Sequence, residues 1–472
     1  MTIDTLPDHA LLQIFSRSRN LTSSHLLWWK PLVHVCHRWR QLILTSPRSL
    51  RLAIVCSPKT PVREYLSIWP PFPISIRHDT WHPDGNNENT IAALKHRDRV
   101  SEISINCLRK SVLETLTAEM LEPFPALSSL YLGYSGNAAP VLPEALFGGF
   151  AGTLQSIVLA GVAFPALPIL LLSAIQLTSL QLWKTPTAGY ISPKAMATCL
   201  AALPSLEDLR IEFRSCWDHM SAPSPTRSIL PSLTCFHFKG ISQYSENLVA
   251  QIDAPILQTL SATFCDVVPG VPQLYQFLSS TEKPGPPNRV VVEFDFWRVD
   301  LKFMPSNDFE LAMRCENLAG QVASMAAVCR DLSPILSCVE CLDLNGKRLP
   351  SYPTRRDDTI PTSLQWQMLF YPFITVQSLS ISKKLEPLVI PALEELARER
   401  ATAVFPKLST LFLEEVQPSG SARDAIEAFV SAREFSKNPV AIQFRLPLDS
   451  NVGTTLSPCS STGWYWNSPV DN

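Results

Sequence analysis

LSSLYL, residues 127–132, places apolar side chains at its first, fourth and sixth positions and polar or aromatic ones between them. The same spacing returns in VSEISI from Val100, LQSIVL from Leu154, LTSLQL from Leu177, LEDLRI from Leu206, LTCFHF from Leu233 and LQTLSA from Leu257. The steps between these seven starts are 27, 27, 23, 29, 27 and 24 residues. Five more follow at wider steps: VVEFDF from Val291, VECLDL from Val339, VQSLSI from Val376, LSTLFL from Leu408 and, more weakly, AIQFRL from Ala441. Each unit offers a short strand with apolar residues on one side. One unit cannot bury them, whereas a stack of units can.

Twelve such units, half of them spaced as above, resemble leucine-rich repeats. The resemblance implies an α/β solenoid. Parallel strands line its concave side, and helical or turn segments such as LPEALFGGF, SPKAMATCLAAL and SENLVAQI lie behind them. The repeat family also asks for Asn or Cys eight residues after the first Leu. Only Cys265 meets this, and Ser135, Val162, Thr185 and Arg214 stand at other such places, so irregular turns are expected. Residues 99–450 form the solenoid, regular over 99–280 and irregular with insertions over 281–450, with TEKPGPPN (281–288) as the break. NDFELAMRCENLAGQVASMAAVC (307–329) reads as a helix with a box-like start at Asn307 and Glu310. Residues 346–362 read as a loop on one rim, and 451–472 as a disordered tail.

Bulk composition excludes several classes. Apolar residues are 46% and charged residues 17% of 472, which suits a folded core, and a formal net charge of −2 gives no global basic field for nucleic acid. The opening MTIDTLPDHA has no basic or apolar leader region, so no secretory signal is expected. The most apolar run, VAFPALPILLLSAI (162–175), is too short to span a bilayer and reads as core, so no membrane partner is expected. The twelve cysteines read as reduced thiols of a cytoplasmic or nuclear protein. Cys338 and Cys341 lack a second pair for zinc, so no metal and no cofactor are assigned.

Upstream of the repeats, PLVHVCHRWRQLI (31–43) reads as one amphipathic helix begun by Pro31. Leu32, Val35, Cys36, Trp39, Leu42 and Ile43 share its apolar arc, opposite His34, His37, Arg38 and Gln41. LPDHALLQIF gives a partner helix with Leu11, Ile14 and Phe15 on one face. Two such helices make a marginal core by themselves. They either cap the array or offer surface to another protein.

These residues, in the order Leu6, Pro7, Asp8, Leu11, Ile14, Phe15, Val35, Cys36 and Trp39, resemble an F-box, and the segment after them resembles mushroom-type fungal F-box proteins up to about residue 78. The connector SRSRNLTSSHLLWWK departs from the family's shorter middle helix. The resemblance implies an F-box-like domain over 1–56, then a linker and solenoid cap over 57–98. It implies that Leu6, Pro7, Leu11, Ile14, Phe15, Val35, Cys36 and Trp39 form or shape a surface for a Skp-type adaptor, and through it a cullin. Residues 1–80 carry a net +6 and the remainder −8, and a basic arm speeds docking on an acidic adaptor.

On the strands, the third and fifth places face outward. Tyr131, Gln181, Arg210, His237 and Asp295 at such places, with Trp183 and Trp297 just past the strands, are the residues expected to meet an unidentified target protein, with acids accumulating in later repeats. No nucleophile–base pair, P-loop or metal-protease motif is present, so no catalysis is assigned. The sequence therefore points to a substrate-recognition subunit of an SCF-type ubiquitin ligase. The alternative is a repeat scaffold outside any ligase, whose first helices only close the stack.

Overall fold

The computed structural model describes residues 6–18, 29–46, 50, 52–68, 70–79, 87–214, 227–281, 287–304, 308–349, 360–400, 404–414, 421–435 and 438–444. The tail 451–472, most of the 346–362 loop and most of the connector after Ser18 lie outside them.

Helices α1 (Asp8–Ser18) and α2 (His37–Thr45) come first. Then β1 (Ile54–Cys56), α3 (Val62–Ile68), β2 (Ile74–Asp79), α4 (Glu88–Leu94), β3 (Val100–Cys107), α5 (Lys110–Ala118), β4 (Ser129–Tyr134) and β5 (Ser156–Ala160) follow. Next are α6 (Leu167–Ser173), β6 (Ser179–Thr185), α7 (Pro193–Ala201), β7 (Asp208–Phe213), β8 (Ser228–Ile229), β9 (Cys235–Gly240), α8 (Ser242–Val249), β10 (Ile252–Asp253), β11 (Thr259–Phe264) and α9 (Pro272–Ser279). The later part holds β12 (Arg289–Phe294), β13 (Arg298–Met304), β14 (Phe309–Arg314), α10 (Leu318–Asp331), α11 (Ser333–Leu336), β15 (Cys341–Gly346), α12 (Ser363–Phe370), β16 (Ser378–Ile381), α13 (Glu386–Arg400), β17 (Thr410–Leu413), α14 (Ser421–Phe435) and β18 (Ala441–Phe444).

Sixteen of these strands form one sheet in the order β1-β2-β3-β4-β5-β6-β7-β9-β11-β14-β13-β12-β15-β16-β17-β18; β8 and β10 pair separately. All its pairings are parallel except those of β13 with β12 and β14. The chain is thus a mixed α/β solenoid. Leu130 stands beside Ile103 and Ile157, and Leu180 beside Ile157 and Leu209, so like positions stack from repeat to repeat. These side chains are fully buried and join one continuous core with Leu113, Leu171, Leu200, Leu248 and Phe277 of the helices behind the sheet. The other sheet face is left open.

A row of hydroxyls reinforces the stack at the second place of several repeat cores. Ser128 Oγ donates to the Ser101 carbonyl (3.0 Å), Thr178 Oγ1 to Gln155 (3.0 Å), Thr234 Oγ1 to Glu207 (3.1 Å) and Ser409 Oγ to Gln377 (3.1 Å). Carboxylates, Glu246 buried and Asp331 half-buried, join turns to the next repeat. Glu246 accepts from the Gln273 and Leu274 N–H groups (2.7 and 3.0 Å) at the start of α9, and Asp331 accepts from the Val271 N–H (2.6 Å). These groups satisfy turn backbone of the kind the Asn place serves in the repeat pattern. Gly161 leaves β5 at φ +67°, where a Cβ would collide with the Tyr134 carbonyl.

Several expectations are corrected. Residues 31–43 are not one helix. A 3-10 turn (Pro31–His34) ends, and extended Cys36 (φ −154°, ψ 169°) caps α2 by accepting the Trp39 N–H on its sulfur at 3.5 Å. Residues 57–98, read as linker and solenoid cap, hold β2, which pairs with β1 and β3 in the sheet, between helices α3 and α4. The helix expected from 307 is replaced by β14, which contains Glu310, and α10 begins at Leu318 under the Asn317 side chain (to Gly320 N–H, 2.8 Å); Asn307 lies outside the described residues. VVEFDF is out of phase. Arg289 pairs with Cys341, so Val290, Val292 and Phe294 point inward while Val291 faces the open side. At β18 the phase slips by two, since Ala441 pairs with Thr410. Residues 162–175 are only half core. Leu167, Leu170 and Leu171 of α6 are buried, but Ile169 and Leu172 are 67% and 54% exposed.

Truncating the inward Ile157 to Ala should cost about 2–5 kcal/mol, whereas Ser156→Ala on the open side of the same strand should stay within about 0.5 kcal/mol. Urea unfolding of the two variants checks the difference. Glu246 gives a second test. Burial pushes its carboxyl from the ordinary 4.5 up to about 7, against the two N–H donors. The protonated form is therefore favoured in the fold, and its stabilisation is complete below pH 4.5 and gone above about 7. Relative to Glu246→Gln, the native chain should lose about 3 kcal/mol across that window. A difference that does not change between pH 4.5 and 8 would show instead that the N–H donors keep the carboxylate ionised.

Candidate functional site

Alternation along the strands puts every second residue on the open face, and parallel register lines them up in rows. At the third place stand Glu102, Ser129, Ser156, Ser179, Asp208 and Cys235; at the fifth, Ser104, Tyr131, Val158, Gln181, Arg210 and His237. The strands run beyond the six-residue core, so a seventh place adds Asn106, Gly133, Ala160 and Trp183, with Glu212 beside Lys239 further along. Trp183 therefore lies inside β6, not past its end as the sequence suggested.

Four of the residues expected to meet a target come together on β6, β7 and β9. Trp183 Nε1 donates to Gln181 Oε1 (3.1 Å), and Gln181 Nε2 donates to Asp208 Oδ2 (2.6 Å), which also accepts from Ser179 Oγ (3.0 Å). The Arg210 guanidinium lies 3.4 Å from the centre of the Trp183 ring, a cation–π contact worth about 0.5–2 kcal/mol. Arg210 also lies 4.0 Å from Glu212, which pairs with Lys239 at 2.5 Å. Burial lowers the Arg210 pKa, against the pull of Glu212 and Asp208. Burial, with the neighbouring Arg210 charge, also lowers that of His237, while Asp208 acts the other way.

The remaining three lie apart. Tyr131 is on β4, two strands from Gln181, with its hydroxyl over Gly133 and its pKa raised by burial and by Asp79. Asp295 and Trp297 sit in the turn between β12 and β13, with β11, β14 and β13 separating them from the cluster across the sheet. The acids of the later strands do not accumulate as unbalanced charge. Asp300 pairs with Arg298 (2.6 Å), Asp343 with Arg289 (2.6 Å), Glu310 with Arg298 (3.4 Å), and Glu293 with Lys347 (2.9 Å) and Lys302. Sequence reasoning missed Glu212 and Lys239. The apolar motif stops at its sixth place, but continued alternation would have reached them.

At the other end, Leu11, Phe15, Trp39 and Ile43 are buried, with the Phe15 and Trp39 rings edge-on at 4.8 Å. Trp29 meets Phe72 edge-on at 5.8 Å, and Lys30 reaches the Tyr65 hydroxyl, tying these helices to the start of the sheet. Leu6 and Cys36 are half-buried. Arg38 binds the helix starts together by donating to the Leu6 carbonyl (2.6 Å) and Asp8 Oδ1 (2.7 Å). Pro7 is exposed, as are Ile14 (43%) and Val35 (58%). Both Ile14 and Val35 were expected among the apolar stripe; α1 turns Ile14 outward, and the break at Cys36 does the same for Val35.

Among the described residues no group of three His, Cys, Asp or Glu side chains is placed to hold a metal ion, and no helix is long and apolar enough to cross a membrane. The ten cysteines described are free thiols.

No protein-family model matches the chain, and no curated protein matches it. Among solved structures, the leucine-rich repeat-containing protein LegL7 from Legionella pneumophila aligns with 80% of this chain and 97% of its own, at 12% identity and a TM-score of 0.24.

His237 should titrate below its ordinary 6.5, and Arg210→Gln should raise that midpoint by removing a neighbouring positive charge. NMR of the ring resonances checks this; a native midpoint at or above 6.5 would mean that the ring is open to water.

Proposed function

We propose that this chain is a non-catalytic recognition subunit: its open sheet face takes a target protein, and its first two helices offer a Skp-type adaptor a docking surface that brings the target to a cullin-based ubiquitin ligase. Such a subunit accelerates modification by raising the local concentration of target lysines near the charged ubiquitin carrier. The observation that carries the adaptor half is the exposure of Pro7, Ile14 and Val35 beside a helical pair that buries Leu11, Phe15, Trp39 and Ile43. A unit whose task is only to close the stack gains nothing from leaving them in water.

A second reading has its own support. Leu11, Phe15, Trp39 and Ile43 belong to the same continuous core as Leu50, Leu52 and β1, as an end cap requires. In that case the chain is a binding scaffold with no link to a ligase. The two readings share the open face and differ in the outer side of α1.

Ile14→Asp with Val35→Asp should abolish co-purification with a Skp-type adaptor and leave the melting transition unchanged, because neither side chain is in the core. Undiminished capture by the double variant, or no adaptor bound to the native chain, would favour the scaffold.

A further inference from the structure

Strand β6 carries an irregularity that the repeat motif does not ask for. Leu182 pairs with Ile211 and Thr185 with Phe213, so two residues of β6, Trp183 and Lys184, stand opposite the single Glu212 of β7. Leu182 and Thr185 are both buried, which leaves the two between them to the open side. This is a β-bulge, a device that re-aims a side chain at the expense of regular pairing. It turns on Lys184, whose φ of +48° lies in the left-handed region. A residue with a Cβ is strained there, whereas glycine is not. The place is nevertheless held by a lysine, and that lysine is exposed.

The bulge adds a cation where positive charge is already in excess. Glu212 is buried, with one oxygen on Lys239 (2.5 Å) and the other 4.0 Å from Arg210. Lys184 itself makes no ion pair or hydrogen bond among the described residues. Arg214, one residue past β7, donates its backbone N–H to the Thr185 carbonyl (3.0 Å), so it stands beside the bulge on the adjoining chain. It is exposed too, and among the described residues its guanidinium meets only the Asn137 carbonyl (3.2 Å), not a carboxylate. Lys184, Arg210, Arg214 and Lys239 thus share the end of β6, β7 and β9 with one acid, Glu212. Asp208 lies four residues back from Glu212, about 13 Å along the strand, and accepts from Ser179 and Gln181. Asp266, past the end of β11, has both oxygens on Ser242. The charge that complements this end of the face is negative.

We propose that the bulge is a recognition device: Lys184, with Arg214 beside it, receives an acidic side chain of an extended segment of the target protein. The inference rests on the reading of the open face as the target surface and adds the charge that one end of that face selects. Strain at Lys184 is then kept for binding. Glycine would suit the backbone better and would leave the incoming carboxylate without its partner.

The full chain, immobilised, is used to select from a displayed library of random dodecapeptides, and the winners are measured again on two variants. The expected winners carry Asp or Glu at one shared position and lose affinity as salt is raised. They bind Lys184→Gly at least about tenfold more weakly, although that variant melts no lower than the native chain because the strain is relieved. Val158→Trp is the second variant; it obstructs the open face of the adjoining strand β5 and leaves its charge unchanged. Winners poor in acid that either variant weakens, or acidic winners that only Val158→Trp weakens, would overturn the assignment of Lys184 and keep the open face as the target surface. A lower melting transition in Lys184→Gly would make the lysine a prop of the fold and overturn the assignment as well. Winners indifferent to both variants, or no winners at all, would overturn both readings.

Discussion

Each repeat strand turns its aliphatic side chains to one side of a ribbon too narrow to cover them. Leu130 is dry only because Ile103 and Ile157 flank it and a helical layer lies behind, and each of those neighbours is dry for the same reason. This mutual dependence fixes much else. It forces parallel register, since like residues must align to share one core. It places the helical segments on the buried side, and it leaves the other face to water. The N-terminal helices extend the same core through Trp29 and Phe72, so the end of the stack is closed by side chains of the same kind.

Register has an electrostatic consequence. Residues one repeat apart in sequence become lateral neighbours, so the polar links of the open face join positions about one repeat length away. Gln181 bonds Asp208, Glu212 pairs with Lys239, and Ser75 donates to Glu102, each across 27 residues. The buried cap from Glu246 to Gln273 obeys the same interval. The face is therefore a lattice of short contacts among rigidly spaced side chains.

This explains which parts of the structure could be read from the sequence. The strand cores from Val100 to Leu257 were legible because every one must bury the same three places, and all seven coincide with strands of the sheet. The phase was lost at VVEFDF because a run of apolar residues fits the motif in more than one register, and β12 takes the one that matches Leu342 and Leu344. Strand β14 was read as the start of a helix because FELAMR carries no strong strand signal until β11 and β13 flank it. The break at Cys36 depends on a sulfur acting as a cap, which apolar periodicity does not see. Alternation found Gln181, Trp183, Arg210 and His237. It could not show that the later acids are balanced, because Arg298 and Lys302 belong to the unforeseen strand β13.

The antiparallel excursion through β12, β13 and β14 has a consequence for synthesis. From β3 to β11 a finished strand receives its neighbour as soon as the next repeat is made. The free edge of β11 instead waits for β14, whose Phe309 sits against Leu260, while β12 and β13 emerge first and find their places farther out. On the ribosome, that edge stays unpaired for roughly twice the usual stretch of translation. With the outer edge of β12, which waits as long for β15, it is where a stray strand has time to attach during synthesis and where a chaperone that shields sheet edges would do most good.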